Sequence, residues 1–262
     1  MPERAALSVI VIARNEAARI GRCLGAVRWA EELVVVDDDS ADATAEIARA
    51  SGARVIVRPM RDGFGEQKAF ALAQARQPWV LSVDADEVVT PALRSEIEAA
   101  LAASSTSVGY RIPRLTTYLG RPIRHCGWYP LPVLRLVRRD RARFTDALVH
   151  EEALVDGPVG DLHADLLHDS YDSLAVHAAK TRLYSGYEAR MLERRGVRHG
   201  GLRSWWLLVL RPAWIFVRKY LGQSGWREGW HGLVLCALAA FGAFVANVRL
   251  AERTGWLRVQ GR

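Results

Sequence analysis

Two short runs of carboxylates carry the most pointed chemistry in this chain, Asp37-Asp38-Asp39 and Asp84-Ala85-Asp86-Glu87. Adjacent like charges repel, so such clusters persist where a metal or donor groups compensate them. Asp84 and Asp86 are two residues apart, and along an extended chain both point to the same side. That spacing suits one hard divalent cation, Mg2+ or Mn2+, which prefers oxygen ligands and is commonly shared with substrate phosphates. The competing expectation is helix capping, with Asp39 and Ser40 before one helix and Asp86 and Glu87 before another. A further acidic group, His150-Glu151-Glu152, follows a strand-like segment and could hold a general base; an exposed turn is the alternative. Arg135 and Arg138, close to Arg139, Arg141 and Arg143, would suit a phosphorylated acceptor, since guanidinium binds phosphate through paired donors. Solvated surface arginine competes with that role. His163 and His168, five apart, are either metal ligands or core and loop histidines.

The elements that must position these groups follow from periodicity. Leu7–Ala13, Leu33–Val36, Ala53–Val57 and Trp79–Val83 are apolar and rich in β-branched residues, which predicts strands. Helical stretches lie between and after them, at Glu16–Val27, Ala41–Ala50, Glu66–Arg76 and Pro91–Ala103. Ser40 is the expected N-cap of the second, and Thr90 with Pro91 opens the fourth. This alternation predicts βαβ units around a parallel sheet covered on both faces, with ligands at the strand-to-helix edge. After Ser104, Val108–Pro113, Pro132–Arg138 and Ala142–Val149 predict strands broken by Gly and Pro, and Ser173–Arg194 predicts a helix. The fold class is α/β, a Rossmann-like nucleotide-binding half with a mixed sheet and a C-terminal helical region. The expected divisions are 1–104, 105–200 and a tail over 201–262.

At 262 residues and half apolar, the chain can bury a substantial core, and its composition excludes intrinsic disorder. The formal charge is +7. It resides in the tail, where nine Arg or Lys face two acids and six of the nine tryptophans gather. The body is therefore neutral and the tail too apolar for a nucleic-acid partner. Three widely spaced cysteines predict neither a disulfide framework nor a cysteine zinc site and favour a reducing compartment. The start, MPERAALSVIVIARNE, has no signal-peptide pattern. Leu233–Val248 is uncharged for sixteen residues, about 24 Å as helix against a bilayer core of roughly 30 Å. It is too short for an expected span. Trp205, Trp206, Trp214, Trp226 and Trp230 beside basic residues instead match an interfacial, monotopic or re-entrant anchor. A helical lid or a dimer contact is the alternative.

The segments SVIVIARNEAARI, VVVDDDSADAT, GFGEQKAFALAQA and LSVDADE, in this order and spacing, resemble family-2 inverting glycosyltransferases with the GT-A fold. The resemblance implies that the first strand, ending at Ala13, and Asn15-Glu16 border a nucleotide sugar. Asp37 or Asp38 would contact the base, Asp84 the ribose or metal, Asp86 the metal, and Lys68 would lie near the pyrophosphate. GWYPLPVLRLVRR, LVHEEALVDGPVG, LLHDSYDSL and RKYLGQSGWREGWHG look like the branch that glucosylates the lipopolysaccharide inner core. A UDP-sugar donor and a lipid-linked saccharide acceptor are thereby implied, with Trp128, Arg135 and Arg138 toward the acceptor. So is a place at the cytoplasmic face of the inner membrane. Asp39 stands where the family has a small residue, and Ala69 where it often has Asn. The Q-x-x-R-W motif of processive synthases is absent, which favours transfer of a single sugar.

An inverting transfer needs a base for the acceptor hydroxyl, and Glu151 is the expected one. Glu152 is its close competitor, and His150 either replaces Glu151 or orients it. The rival functions are a polyprenyl-phosphate sugar transferase, a nucleotide-binding scaffold without turnover, and a membrane-tethering module.

Overall fold

The computed structural model describes residues 5–61, 63–103, 105–145 and 153–257. The expected catalytic residues His150, Glu151 and Glu152 lie outside the described residues. Two compact units emerge, one of Met1–Leu115 with Pro130–Asp169, the other of Thr116–Tyr129 with Ser170–Arg262. These lines differ from the expected divisions at 104 and 200, because each unit draws on two separate stretches of chain.

The first unit opens with β1 (Ala5–Ala13), α1 (Ile20–Ala26), β2 (Ala30–Asp37), α2 (Thr44–Ala50), β3 (Arg54–Val57), α3 (Phe64–Gln74) and β4 (Trp79–Asp84). It continues with β5 (Glu87–Val89), α4 (Pro91–Ala102) and β6 (Gly109–Tyr118), whose last residues enter the second unit together with β7 (Arg121–Pro122). β8 (Pro132–Arg138), β9 (Ala142–Phe144), β10 (Ala153–Val155), β11 (Val159–Asp161) and β12 (Leu166–Tyr171) follow. The main sheet runs β3-β2-β1-β4-β8-β6-β12-β5, with β11 and β7 also paired to β6. β3, β2, β1 and β4 are parallel, and β8 turns the sheet antiparallel on both of its sides.

Alternation along β1 sends Leu7, Val9 and Val11 into a core with Ile20, Leu24, Leu93 and Ile97. Ile10 goes to the opposite face with Ala71, Leu72 and Val137. Helices thus cover both faces, and a strand buried on both sides reads as an unbroken apolar run.

Two helix starts differ from expectation. α1 begins four residues later than Glu16, because Asn15 adopts a left-handed φ of 54° and the Glu16 and Ala17 N–H groups donate to Thr44 Oγ1 and Asp42 Oδ2. α2 begins at Thr44 rather than after Ser40, whose hydroxyl is taken by Asp37. Thr90 caps α4 as expected, accepting from Leu93 N at 3.1 Å.

The second unit contains α5 (Leu174–Arg194), α6 (Gly201–Trp205), α7 (Arg211–Val217) and α8 (Gly229–Arg253). The helical run over 201–222 passes through Arg211-Pro212 by means of a wide, π-type turn at Trp206–Leu210, which relieves the missing proline N–H. α8 is 25 residues long, about 37 Å. The helical stretch Gly225–Arg253, with a mean hydropathy of 2.0 in its most apolar window, is long and apolar enough to cross a membrane by length and composition. The helix continues past the sixteen uncharged residues at both ends, so it is longer than they indicate. Leu235 and Cys236 of α8 pack on Tyr118, Ile123 and Cys126. Gly225 sits against both thiols, where a Cβ would lie 2.9 Å from Cys236 Sγ and 3.0 Å from Cys126 Sγ. All three cysteines are free and buried.

Candidate functional site

Register brings the two acidic runs to one edge. Asp37 of β2 pairs with Ala13, and Asp84 of β4 pairs with Ile12, so both acids flank the end of β1. Two inter-strand steps separate them, roughly 10 Å. Helix capping does not account for either run: Ala43 and Thr90 occupy the N-cap positions of α2 and α4.

Asp37 and Asp38 are both buried. Asp37 accepts from Ser40 N at 3.0 Å and from Ser40 Oγ at 2.6 Å. Asp38 accepts from Met60 N at 2.6 Å and from Arg14 Nη1 at 3.1 Å, while its own N–H donates to Ala13 O. Donor groups compensate Asp37 and Asp38. Asp39 takes a left-handed φ of 50° at the turn. Asn15 N donates to Ser40 Oγ and Asn15 Oδ1 accepts from Ala41 N, which ties the loop after β1 to the loop after β2.

The second run is built differently. Asp84 Oδ1 lies 2.9 Å from Lys68 Nζ, and Asp84 Oδ2 accepts from Arg135 Nη2 at 2.6 Å. The same Nη2 donates to Glu87 Oε1 at 2.7 Å, and Glu87 Oε2 accepts from Asp84 N. Arg114 approaches Glu87 at 3.7 Å. Burial would raise Asp84, but Arg135 and Lys68 outweigh it and hold this carboxyl well below the usual range. Burial, opposed first by Arg135, leaves Glu87 raised. Among the described residues no Arg or Lys pairs with Asp86. Its Oδ2 stands 3.5 Å from His168 Nε2, because β12 runs antiparallel to β5 with His168 opposite Glu87. Asp169 N donates to Asp86 O, and Arg22 pairs with the Asp169 carboxylate.

These contacts revise several expectations. Arg135 does not face an acceptor: it is buried, and its guanidinium is committed to Asp84 and Glu87. Asp84 has a side-chain cation on each oxygen. Lys68 is buried against Asp84. Arg138 is on the surface and pairs with Asp140 at 3.2 Å. Trp128 belongs to the second unit, edge-on to Tyr118 and tilted against Tyr171. Glu87 is not legible in the sequence as the charge partner of Arg135, because nothing local marks a contact 48 residues apart along the chain; Arg114 and Ser40 are likewise absent from the expected site.

Among the described residues no group of three or more His, Cys, Asp or Glu is arranged to hold a metal. A divalent ion shared with a diphosphate commonly needs only one or two protein carboxylates. Asp86 offers such an oxygen donor beside an imidazole, so the donor set fits Mg2+ or Mn2+.

The family model described as glycosyl transferase family 2 matches residues 8–142. The lipopolysaccharide core biosynthesis glycosyltransferase LpsC of Rhizobium meliloti (strain 1021) is 32% identical, over 94% of this chain and 92% of its own length. An uncharacterized glycosyltransferase of Rickettsia typhi is 29% identical over 94% of this chain and 87% of its own. Among solved structures, a mannosyltransferase of Pyrobaculum calidifontis in complex with GDP-Man and Mn2+ superposes with a TM-score of 0.53 at 16% identity. That match covers 99% of this chain and 82% of the other, and it shows a shared fold.

Proposed function

Because the chain belongs to glycosyl transferase family 2, we propose that it moves one sugar from a nucleotide-diphosphate sugar to a lipid-linked saccharide such as the lipopolysaccharide inner core, with inversion. The observation that carries the proposal is the placement of Asp37 and Asp84 level with the end of β1, where ligands of open α/β sheets bind. Likeness to the rhizobial core enzyme supports the acceptor class. A UDP-sugar, with glucose as its sugar, is the donor of this proposal.

Asp37 or Asp38 holds the base, the two being oriented by Ser40 and Met60. Asp86, with His168 beside it, holds Mg2+ or Mn2+, and Asp84 orients the ribose while Lys68 and Arg135 keep it ionised. When bound, the cation neutralises the leaving diphosphate. Glu151 removes the acceptor proton. Glu151→Gln should lower transfer about 10²–10³-fold with donor affinity unchanged. An active Glu151→Gln beside an inactive Glu152→Gln would move the base to Glu152. Screening nucleotide sugars with Mg2+ or Mn2+ on purified lipid-linked core acceptors tests the proposal. A product of retained anomeric configuration, or no transfer with any donor, would overturn it.

The protein acts at a membrane surface, by this proposal the cytoplasmic face. Trp205, Trp214 and Trp230 are 66%, 58% and 78% exposed among basic residues. A simple span by α8 is disfavoured. Arg249 donates to Arg182 O and Arg253 pairs with Glu193, so α8 would draw the charged α5 into hydrocarbon. Removing residues 202–262 would also strip the cover from Tyr118 and Ile123. Replacing the three exposed tryptophans by alanine is the cleaner test. Vesicle binding should weaken by about two orders of magnitude or more, with the fold intact. Unchanged binding would remove the anchor.

A further inference from the structure

The second unit carries an open pocket of about 460 Å³, apart from the residues assigned to transfer above. Its polar lining is cationic: Lys180, Arg218 and Lys219 face one acid, Glu188, whose Oε1 accepts from Arg211 Nη2 at 2.7 Å. Trp128 and Tyr171 form an aromatic wall, with ring centroids 5.3 Å apart and planes at 38°. Leu238, Ala239 and Ala243 of α8 form the apolar wall. One lining atom, Gln223 Oε1, is buried and has no hydrogen-bond partner among the described residues. Such an atom is costly unless a ligand or water donates to it. Gly127 leaves room for it, since a Cβ there would lie 2.4 Å from Gln223 Oε1.

We propose that this cavity binds the phosphorylated sugar headgroup of a glycolipid. Arg218 and Lys219 meet the phosphate, Trp128 and Tyr171 stack on a sugar ring, a sugar hydroxyl donates to Gln223 Oε1, and the first methylenes of the chain lie on α8. Lys180 supports the aromatic wall, its Nζ lying 4.6 Å from the Tyr171 ring centre. Lys219 Nζ donates to Cys126 O at 2.9 Å and has further N–H groups for a phosphate, while burial lowers its pKa. Free phosphate would leave the aromatic and apolar walls and most of the volume unused. The assignment rests on the lipid-linked acceptor proposed above, and it names where that acceptor's headgroup is held.

The test is equilibrium binding of the full chain, without donor, to phosphatidylcholine vesicles doped with a phosphorylated glucosamine-disaccharide lipid. Vesicles carrying phosphatidylglycerol at matched charge are the comparison. Binding to the glycolipid should be about tenfold tighter, the value of one charge-assisted hydrogen bond. Arg218→Gln, at an exposed position, should lose that margin, and so should Ala239→Phe, which fills the apolar end. Thermal unfolding checks that both variants fold. Equal binding to the two vesicle types, unchanged glycolipid affinity in Arg218→Gln, or inorganic phosphate competing at the same affinity would each overturn the site. Binding is scored without sugar transfer, so a failed transfer assay counts against the acceptor and leaves the cavity standing.

Discussion

Asp86→Ala should lower metal-dependent sugar transfer by about 10³-fold or more while the protein unfolds at its usual temperature. The reason lies in how the two acids after β4 are compensated. Asp84 is held by Lys68 and Arg135, whereas among the described residues the side-chain partner of Asp86 is the His168 imidazole at 3.5 Å. An acid with no fixed cation is the one that can pair with an exchangeable ion. Asp86 is also close to the surface, its side chain 19% exposed, so its loss leaves no buried charge stranded. The measurement is transfer rate against Mn2+ concentration, with nucleotide binding in the absence of metal as the control. Wild-type rates in Asp86→Ala would remove the metal from this residue. A loss of metal-free nucleotide binding equal to the loss of rate would show that Asp86 shapes the pocket instead.

What could be read from the sequence divides along a physical line. Strands buried on both faces announce themselves as apolar runs, so β1, β2 and β4 were legible to within a few residues, and the acids at their ends followed. Thr90-Pro91 was legible because an N-cap acts within one turn. Ser40 was read as a cap by the same logic, yet Asp37, three residues earlier, competes for its hydroxyl and wins because a buried carboxylate gains more from it than a helix end. β5, β11 and β12 were missed. They are short, and Leu166–Tyr171 carries His168 and Asp169, residues with low strand preference that are there for the site. Arg135 was the largest misreading: its partners lie 51 and 48 residues away, and only the antiparallel pairing of β8 with β4 joins them. α8 runs beyond the sixteen uncharged residues, and Arg249 and Arg253 near its end bind α5.

Arg135→Met should destabilise the protein by about 3–5 kcal/mol, the usual cost of removing one partner from an enclosed ion pair. Arg135 and Glu87 are enclosed and the Asp84 side chain is 30% exposed, so the loss falls mainly on Glu87. Arg135 lowers the folded-state pKa of both acids, so its removal raises both. The folded variant then binds more protons than the folded wild type across the carboxylate range, while the unfolded chains bind equally. The stability gap must therefore grow as pH rises through those folded pKa values and shrink as pH falls below them. Denaturant unfolding at about pH 4 and about pH 7 measures this directly. A gap independent of pH would mean that the methionine substitution disturbs packing alone and that the guanidinium does not hold Asp84 charged. Activity separates the two cases a second time. Arg135→Lys restores one positive charge but not the shared contact of Nη2 with two carboxylates, so it should recover stability in part. Its donor KM should stay raised relative to wild type, because Asp84 would still lack the fixed orientation that a ribose contact requires.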